Sequence, residues 1–522
     1  MRFQIVDFRL PICESVSNRN SMTDPQNLAT AYTYDVLNRL HTLAFNGQNP
    51  TFVFGYDALS RRNSLSRPNG VNTTYTYDPA SSLLSVLHKL GTTTIDGASY
   101  TYDKAENRKT RTDKRLNSTL TYAYDNIYQL QTAKQGSTTK ESYTYDIVGN
   151  RLTSQIGTQP VTTYMPNTSN ELMSTTNPNV SYTYDNNGSV LTKSDGTQYT
   201  WDYENELTQI VLPGTGGTVN FKYDPFGRRI QKSFTQSGTT TTTDYLYDEF
   251  NRIEDVDVNG NLLARYVHGR AVDEPLEEIA SGTTSYYQQD GLGSVTSLSS
   301  TTGAIGNNTY TYDSYGNTTT SATIANPFRG REFDTETGIY DYRARYYDQT
   351  IGRFLSEDPA RFAVSADFYP YVKGNPTNRI DPTGLATVVN NTGSYIVVSG
   401  NPGLGHGEGD QAYAVVPPDG STHGGPNDPI PAYPSIDQAL AAAFGPQPPN
   451  PPTAYIYDVD FVGDTALSRV PKPQPLACSR KILGDDRGPK YTVTRLPDGQ
   501  ISLSYSDWEL LLATFRRLKD TF

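Results

Sequence analysis

A Tyr-x-Tyr-Asp motif, or a near copy of it, ends at Asp35, Asp57, Asp78, Asp103, Asp125, Asp146, Asp185, Asp224, Asp248 and Asp313. The first six copies lie 22, 21, 25, 22 and 21 residues apart. The next gap, 39 residues, is close to two periods and places a decayed copy around Tyr164. Asp202 in TWDYENEL and Asp290 in YYQQDGLGSV read as further degenerate copies. A period of this length marks a repeat architecture in which no single unit can bury a face alone. In the copy SYTYDIVGNRLTSQ, Tyr143 and Tyr145 share one strand face and Thr144 takes the other. Asp146 then opens a turn through Gly149 and Asn150 before Arg151. Each unit is a hairpin, and tandem hairpins pair edge to edge into one long twisted sheet whose open edges must be closed or capped. Recurrence also assigns the Asp and Arg of each unit to turn capping and strand registry rather than to catalysis.

Composition agrees with a mainly β chain. Among 522 residues there are 39 Tyr against 18 Phe and 2 Trp, a balance that suits half-wet strand surfaces. Mean hydropathy is −0.59, yet the aromatic content excludes disorder through the repeats. A net charge of −12 disfavours nucleic acid as a partner for the whole surface and leaves it open for the C-terminal region alone. Cys13 and Cys478 stand far apart with no metal spacing, so neither a disulfide framework nor a metal site is expected, and no motif implies a cofactor. MRFQIVDFRLPICESV lacks an apolar run of signal-peptide length, and no stretch reaches the roughly 18 apolar residues of a membrane span.

From Asn326 the period breaks. PFRGREFDTETGIYDYRARYYD, GRFLSEDP and DPTGL follow between Pro327 and Leu385, with Arg329, Arg331, Arg343, Arg345 and Arg353 set among Asp334, Glu336, Asp341 and Asp348. Charge alternating at this density in a β protein reads as a network of paired side chains. The stretch resembles the core module of RHS (rearrangement hotspot) and YD-repeat proteins, which include the C components of bacterial toxin complexes. The resemblance covers residues from about 24 to 385. It implies that the strip of strands spirals into a shell closed by the core module. It also implies that the module cleaves its own chain after the Leu of DPTGL, with Asp358 and Asp381 as the catalytic dyad and Leu385–Ala386 as the scissile bond. Arg353 is the candidate orienting cation. Two carboxylates that meet cannot both ionise, so one serves as acid and the other as base on a water. Glu357 would add a third carboxylate beside them and raise the dyad's pKa. Without the resemblance, both Asp-Pro pairs read as ordinary turns.

After Leu385 the texture changes. The expected organisation is an unassigned segment 1–23, repeats 24–325, the core module 326–385 and a variable α+β domain 386–522. In the last, TAYIYDVDFVG reads as a strand and YTVTRLPDGQISLSY as a hairpin. SIDQALAAAF and SDWELLLATFRRLKDTF read as helices capped by Ser435 and Ser506. Residues 386–468 hold eight acids and no Lys or Arg, whereas residues 469–522 hold ten bases and six acids. His406 with Glu408 and Asp410, and His423, all on Gly-rich loops, form a candidate effector site without a specific motif. Asp458 and Asp460 share one strand face, as metal-binding carboxylates do and as the wet face of an ordinary strand does.

The resulting expectation is a polymorphic-toxin-like shell protein, with a single-turnover aspartic autoprotease and a C-terminal effector. By resemblance its partners are an immunity protein and secretion or toxin-complex components, and its location is secreted or cell-surface. The alternative is an extracellular recognition protein whose Tyr-rich hairpins stack against carbohydrate or bind protein. Family shells tend to carry more repeats and a plug at the other end, so a truncated cassette is also compatible with the sequence.

Overall fold

In the computed structural model, residues 18–318, 324, 327–359 and 367–385 are described, together with short strands between residues 388 and 495. Twenty-seven strands run from Ser21–Thr23 to Val295–Ser299, each antiparallel to the next in sequence. The hairpin formed by Thr138–Tyr145 and Arg151–Ile156 shows how the repeat encodes this. Tyr143 is buried, while Thr144 faces out and its hydroxyl meets that of Thr153 at 2.7 Å. Asp146 Oδ1 accepts the N–H groups of Val148, Gly149 and Asn150, and Oδ2 accepts the Asn150 side-chain amide at 2.9 Å. Where the fourth residue after Asp is Arg, the guanidinium replaces the amide. Arg39 Nε donates to Asp35 Oδ2 at 2.7 Å and its fork lies 4.6 Å from the Tyr56 ring centroid in the next hairpin.

The second tyrosine of the motif joins one hairpin to the last. Tyr56, Tyr77, Tyr102, Tyr145 and Tyr223 donate their hydroxyls to the carbonyls of Leu40, Arg62, Leu83, Leu130 and Leu207, at 2.7 to 3.0 Å. A β-bulge sits at the same step, immediately before Tyr34, Tyr77, Tyr102, Tyr145 and Tyr223. Repeated bulges on one side bend and twist a sheet. The degenerate copies hold the same geometry. Asn167 stands in for Asp in the decayed copy, accepting from the Ser169 and Glu171 N–H groups, and Asp202 and Asp290 cap their turns as the full copies do. Trp201 Nε1 and His268 Nε2 donate to the carbonyls of Val190 and Arg252 in place of the tyrosine hydroxyl.

The strip rolls until its end meets its beginning. Gln48 donates to Glu277, Asn69 to Ser299, and His88 Nε2 to the Gln289 carbonyl; Asp96 Oδ2 accepts both the Thr296 and Ser297 hydroxyls at 2.6 Å. Leu43, Phe52 and Phe54 pack with Val267, Leu276 and Tyr286 along this seam.

The core module supplies a four-stranded sheet of Glu332–Asp334, Ile339–Asp341, Tyr346–Asp348 and Arg353–Phe354. It covers the packed face of the middle of the strip: Ile339, Tyr346, Ile351 and Leu355 join Tyr164, Leu172, Tyr182 and Val190 in one core, and Tyr340, Tyr342, Tyr347 and Tyr371 join Tyr122, Leu130 and Tyr143 in another. Charge pairing crosses the same interface. Arg229 meets Glu332, Asp334 and Asp341, Lys232 meets Asp334 and Glu336, and Lys193 meets Asp348 at 2.8 Å. The alternating charges of the module therefore dock it onto the repeats, as the sequence predicted for a paired network.

Beyond Leu385, Tyr455–Val459 is a strand, as expected. Tyr491–Arg495, expected as the first arm of a hairpin, is a strand flanked on both sides by Ile396–Gly400 and Tyr455–Val459, in a five-stranded sheet completed by Ala412–Val416 and Gln474–Pro475, and the expected second arm lies outside the described residues. The two expected helices, Ala386, Asp460, both cysteines and the loop carrying His406, Glu408 and Asp410 lie outside the described residues. His423 lies in the short strand Thr422–His423. Among the described residues no helix is long and apolar enough to cross a membrane.

Candidate functional site

The DPTGL segment runs across the core module as a strap, held carbonyl by carbonyl. Arg343 Nη1 donates to the Pro382 carbonyl, the Ala344 N–H to that of Thr383 at 3.1 Å, and Arg345 Nε to that of Gly384. The fit demands glycine at 384: its φ is +71°, and a Cβ there would stand 2.3 Å from the Tyr342 carbonyl oxygen. Leu385 is fully buried, and its N–H donates to Asp381 Oδ1 at 3.0 Å.

The two predicted aspartates come together on one guanidinium. Arg345 Nη2 lies 2.9 Å from Asp358 Oδ2 and 3.4 Å from Asp381 Oδ2. Its Nη1 donates to the Phe368 carbonyl, which also accepts the Asp358 N–H at 3.0 Å, and its Cζ stacks 3.7 Å from the Phe354 ring centroid. Phe354 in turn packs on Tyr342, Tyr347 and Tyr371, so one side of the dyad is an aromatic wall. Burial in this setting, opposed by Arg345 and reinforced by the Asp358 charge, raises the Asp381 carboxyl to about 7. Asp381 thus divides its oxygens: Oδ1 caps the strap, and Oδ2 faces Arg345 with Asp358.

Arg353 is placed elsewhere. It donates to the Asn170 carbonyl, lies 3.9 Å from Asp367 and stacks over Tyr369. The cation at the dyad is Arg345, which the sequence places in the alternating-charge network rather than at the site. Glu357 lies against Gly188 and Tyr369, where burial first and the Glu357 charge second raise the tyrosine's pKa, while the Asp358 charge acts on Asp381. Among the described residues no group of three or more His, Cys, Asp or Glu is arranged to hold a metal ion.

Bulged Tyr-Asp hairpins rolled into a strip and covered by an arginine-rich module define a YD-repeat shell protein. The teneurin YD-shell family model matches residues 89–369, more than half of the 522-residue chain. The chain belongs to that family. It is 31% identical over 211 residues to the tRNA(Glu)-specific nuclease WapA of Bacillus subtilis subsp. natto, a match covering 38% of this chain and 9% of the nuclease. It is 42% identical over 59 residues to the toxin subunit YenC2 of Yersinia entomophaga, covering 11% of this chain and 6% of that subunit. The chain therefore spans less than a tenth of the length of either relative. The crystal structure of TcdB2-TccC3-TEV superposes with a TM-score of 0.61 at 21% identity, covering 70% of this chain and 21% of that one, which is a likeness of fold.

Proposed function

We propose that the protein is a toxin-type YD shell whose core module cuts its own chain once, between Leu385 and Ala386, and so frees residues 386–522 as an effector domain. The observation that carries this reading is the convergence of Asp358, Asp381 and the strap on Arg345. Asp358, which makes the shorter contact with the guanidinium, acts as base on a water. Asp381, protonated near neutral pH, acts as acid. The water oxygen bonds to the Leu385 carbonyl carbon, its proton passes to Asp358, and the C–N bond breaks as Asp381 protonates the nitrogen of Ala386. Clamping the strap beside the dyad makes the reaction intramolecular, and a single turnover needs no product release.

In this reading the protein acts outside the producing cell or at its surface, together with toxin-complex or secretion components, and an immunity protein protects the producer. The carbohydrate-binding alternative draws less support. The first tyrosine of each motif is turned into the packed face, as Tyr100, Tyr143, Tyr182 and Tyr245 are, and the second is committed to an upstream carbonyl, which leaves threonines on the outer face.

Intact mass and N-terminal sequencing of the purified chain test the proposal beside Asp381→Asn and Asp358→Asn. The expected result is a wild-type fragment beginning at Ala386 and a loss of about 10²- to 10⁴-fold in its rate of appearance in either variant. A wild-type chain that stays whole, or variants that cleave equally well, would refute it.

A further inference from the structure

The strap is tied to the repeat sheet as well as to the dyad, and one side chain makes the tie. Arg343, besides holding the Pro382 carbonyl, donates through Nη2 to the Phe250 carbonyl at 3.0 Å and forks onto Asp273 at 2.6 and 3.1 Å. Phe250 lies in the turn between strands Thr239–Asp248 and Asn251–Asp257, and Asp273 in the loop between Leu262–His268 and Pro275–Ala280. A single guanidinium therefore joins two successive hairpins near the end of the strip to the residue four positions before the expected cut.

Its acceptor is built for the purpose. Asp273 holds φ +61°, its N–H donates to the Asn251 side chain at 3.2 Å, and it takes a second arginine, Arg331, at 2.8 Å. Arg331 also donates twice to the Asp341 carbonyl, two residues before Arg343. Gly330 approaches so closely that a Cβ on it would stand 2.4 Å from the Asp273 carbonyl oxygen. The same hairpins form the seam where the strip meets its beginning, since Arg62 pairs with Glu274, the neighbour of Asp273, and Gln48 with Glu277.

We propose that Arg343 is a positioning residue that makes cleavage after Leu385 conditional on closure of the strip. The inference rests on the self-cleavage reading above and adds a condition to it. Until the hairpins bearing Phe250 and Asp273 are seated, Arg343 lacks the carboxylate onto which it forks, and the strap carbonyls lose the first rung of their clamp. Misplacing a reacting group by about 1 Å can cost on the order of 100-fold in rate. The linkage would keep the C-terminal segment attached until the shell that is to hold it has formed.

The test follows cleavage by intact mass as the full-length chain refolds from denaturant, in wild type, Arg343→Lys, Arg343→Ala and Asp273→Asn. The expected result is a slowing of about 10- to 100-fold in Arg343→Ala and Asp273→Asn, less in Arg343→Lys, with the pH midpoint of cleavage unmoved because Arg345 and the dyad are intact. Added guanidinium ion, below denaturing concentration, should restore part of the rate to Arg343→Ala. A residue that served stability alone would lower the melting temperature and leave the rate of the folded fraction unchanged, and that outcome overturns the proposal. Asp273→Asn, nearly isosteric, serves if Arg343→Ala fails to fold. Should wild type not cleave, self-cleavage itself falls, and the tie is then read by hydrogen exchange in an Asp358→Asn background. There the Ala344 and Leu385 amides should exchange about tenfold faster on adding Asp273→Asn. Unchanged exchange overturns it.

Discussion

At the scale of single residues, the proton on Asp381 decides both chemistry and stability. Its carboxyl is raised to about 7 chiefly by burial, well above the ordinary carboxylate range. Folding therefore takes up a proton between roughly pH 4 and 7, and the stability associated with this group is lost as pH rises through that window. The proposed cleavage needs the same proton, so its rate should fall about tenfold per unit as pH rises above about 7. Stopped aliquots of the refolding chain across pH 5 to 9 would show this, and a rate that climbs with pH would exclude Asp381 as the acid. Asp358 and Asp381 were legible because three short motifs appear in family order. Arg345 was not, because it is one of five arginines set among acids and no local pattern marks the one that the turn carries to the dyad. Arg343 sits at φ +64°, and Tyr342 closes a turn onto the Arg345 carbonyl, so both arginines reach the strap.

At the scale of the hairpin, two interactions can be separated by mutation. Tyr145→Phe removes the hydroxyl that donates to the Leu130 carbonyl and meets Tyr315 at 2.7 Å, while sparing the ring. A cost of about 1 to 2 kcal/mol is expected from the hydrogen bonds. Asp146→Ala strips the cap from three turn amides and should cost about 1 to 2 kcal/mol. Urea midpoints of the two variants check both values, and a neutral Tyr145→Phe would mean that the hydroxyl adds nothing to hairpin stacking. The hairpin was the most legible level of the sequence, since strand alternation, Asp caps and period all point to it. Less legible were Trp201 and His268, which keep the donor of the lost tyrosine hydroxyl but not its residue type. The cap at Asp24, which accepts from Gln26 and Leu28, lacks the tyrosines that flagged the others.

At the scale of the molecule, the roll depends on contacts that no local pattern reveals, because the partners are some 200 residues apart. Period and bulges foretell that the strip must curl, but not where its end lands. Asp96 is the clearest seam residue. It is completely buried, accepts the Thr296 and Ser297 hydroxyls on Oδ2 and the Gly97 N–H on Oδ1, and lies 3.6 Å from Arg115. Asp96→Ala would leave two buried hydroxyls and a guanidinium without this partner, at a cost of about 3 to 5 kcal/mol. Because the seam joins the two ends of one sheet, the loss should register on both sides together. Hydrogen exchange should quicken in Thr93–Tyr102 and in Val295–Ser299 alike, while Val180–Tyr184, buttressed by the core module, keeps its protection. If only Thr93–Tyr102 loosens, the seam is a local contact and the strip keeps its curvature from its bulges alone. If both sides loosen and cleavage after Leu385 slows with them, closure of the roll and release of the C-terminal segment are one cooperative event.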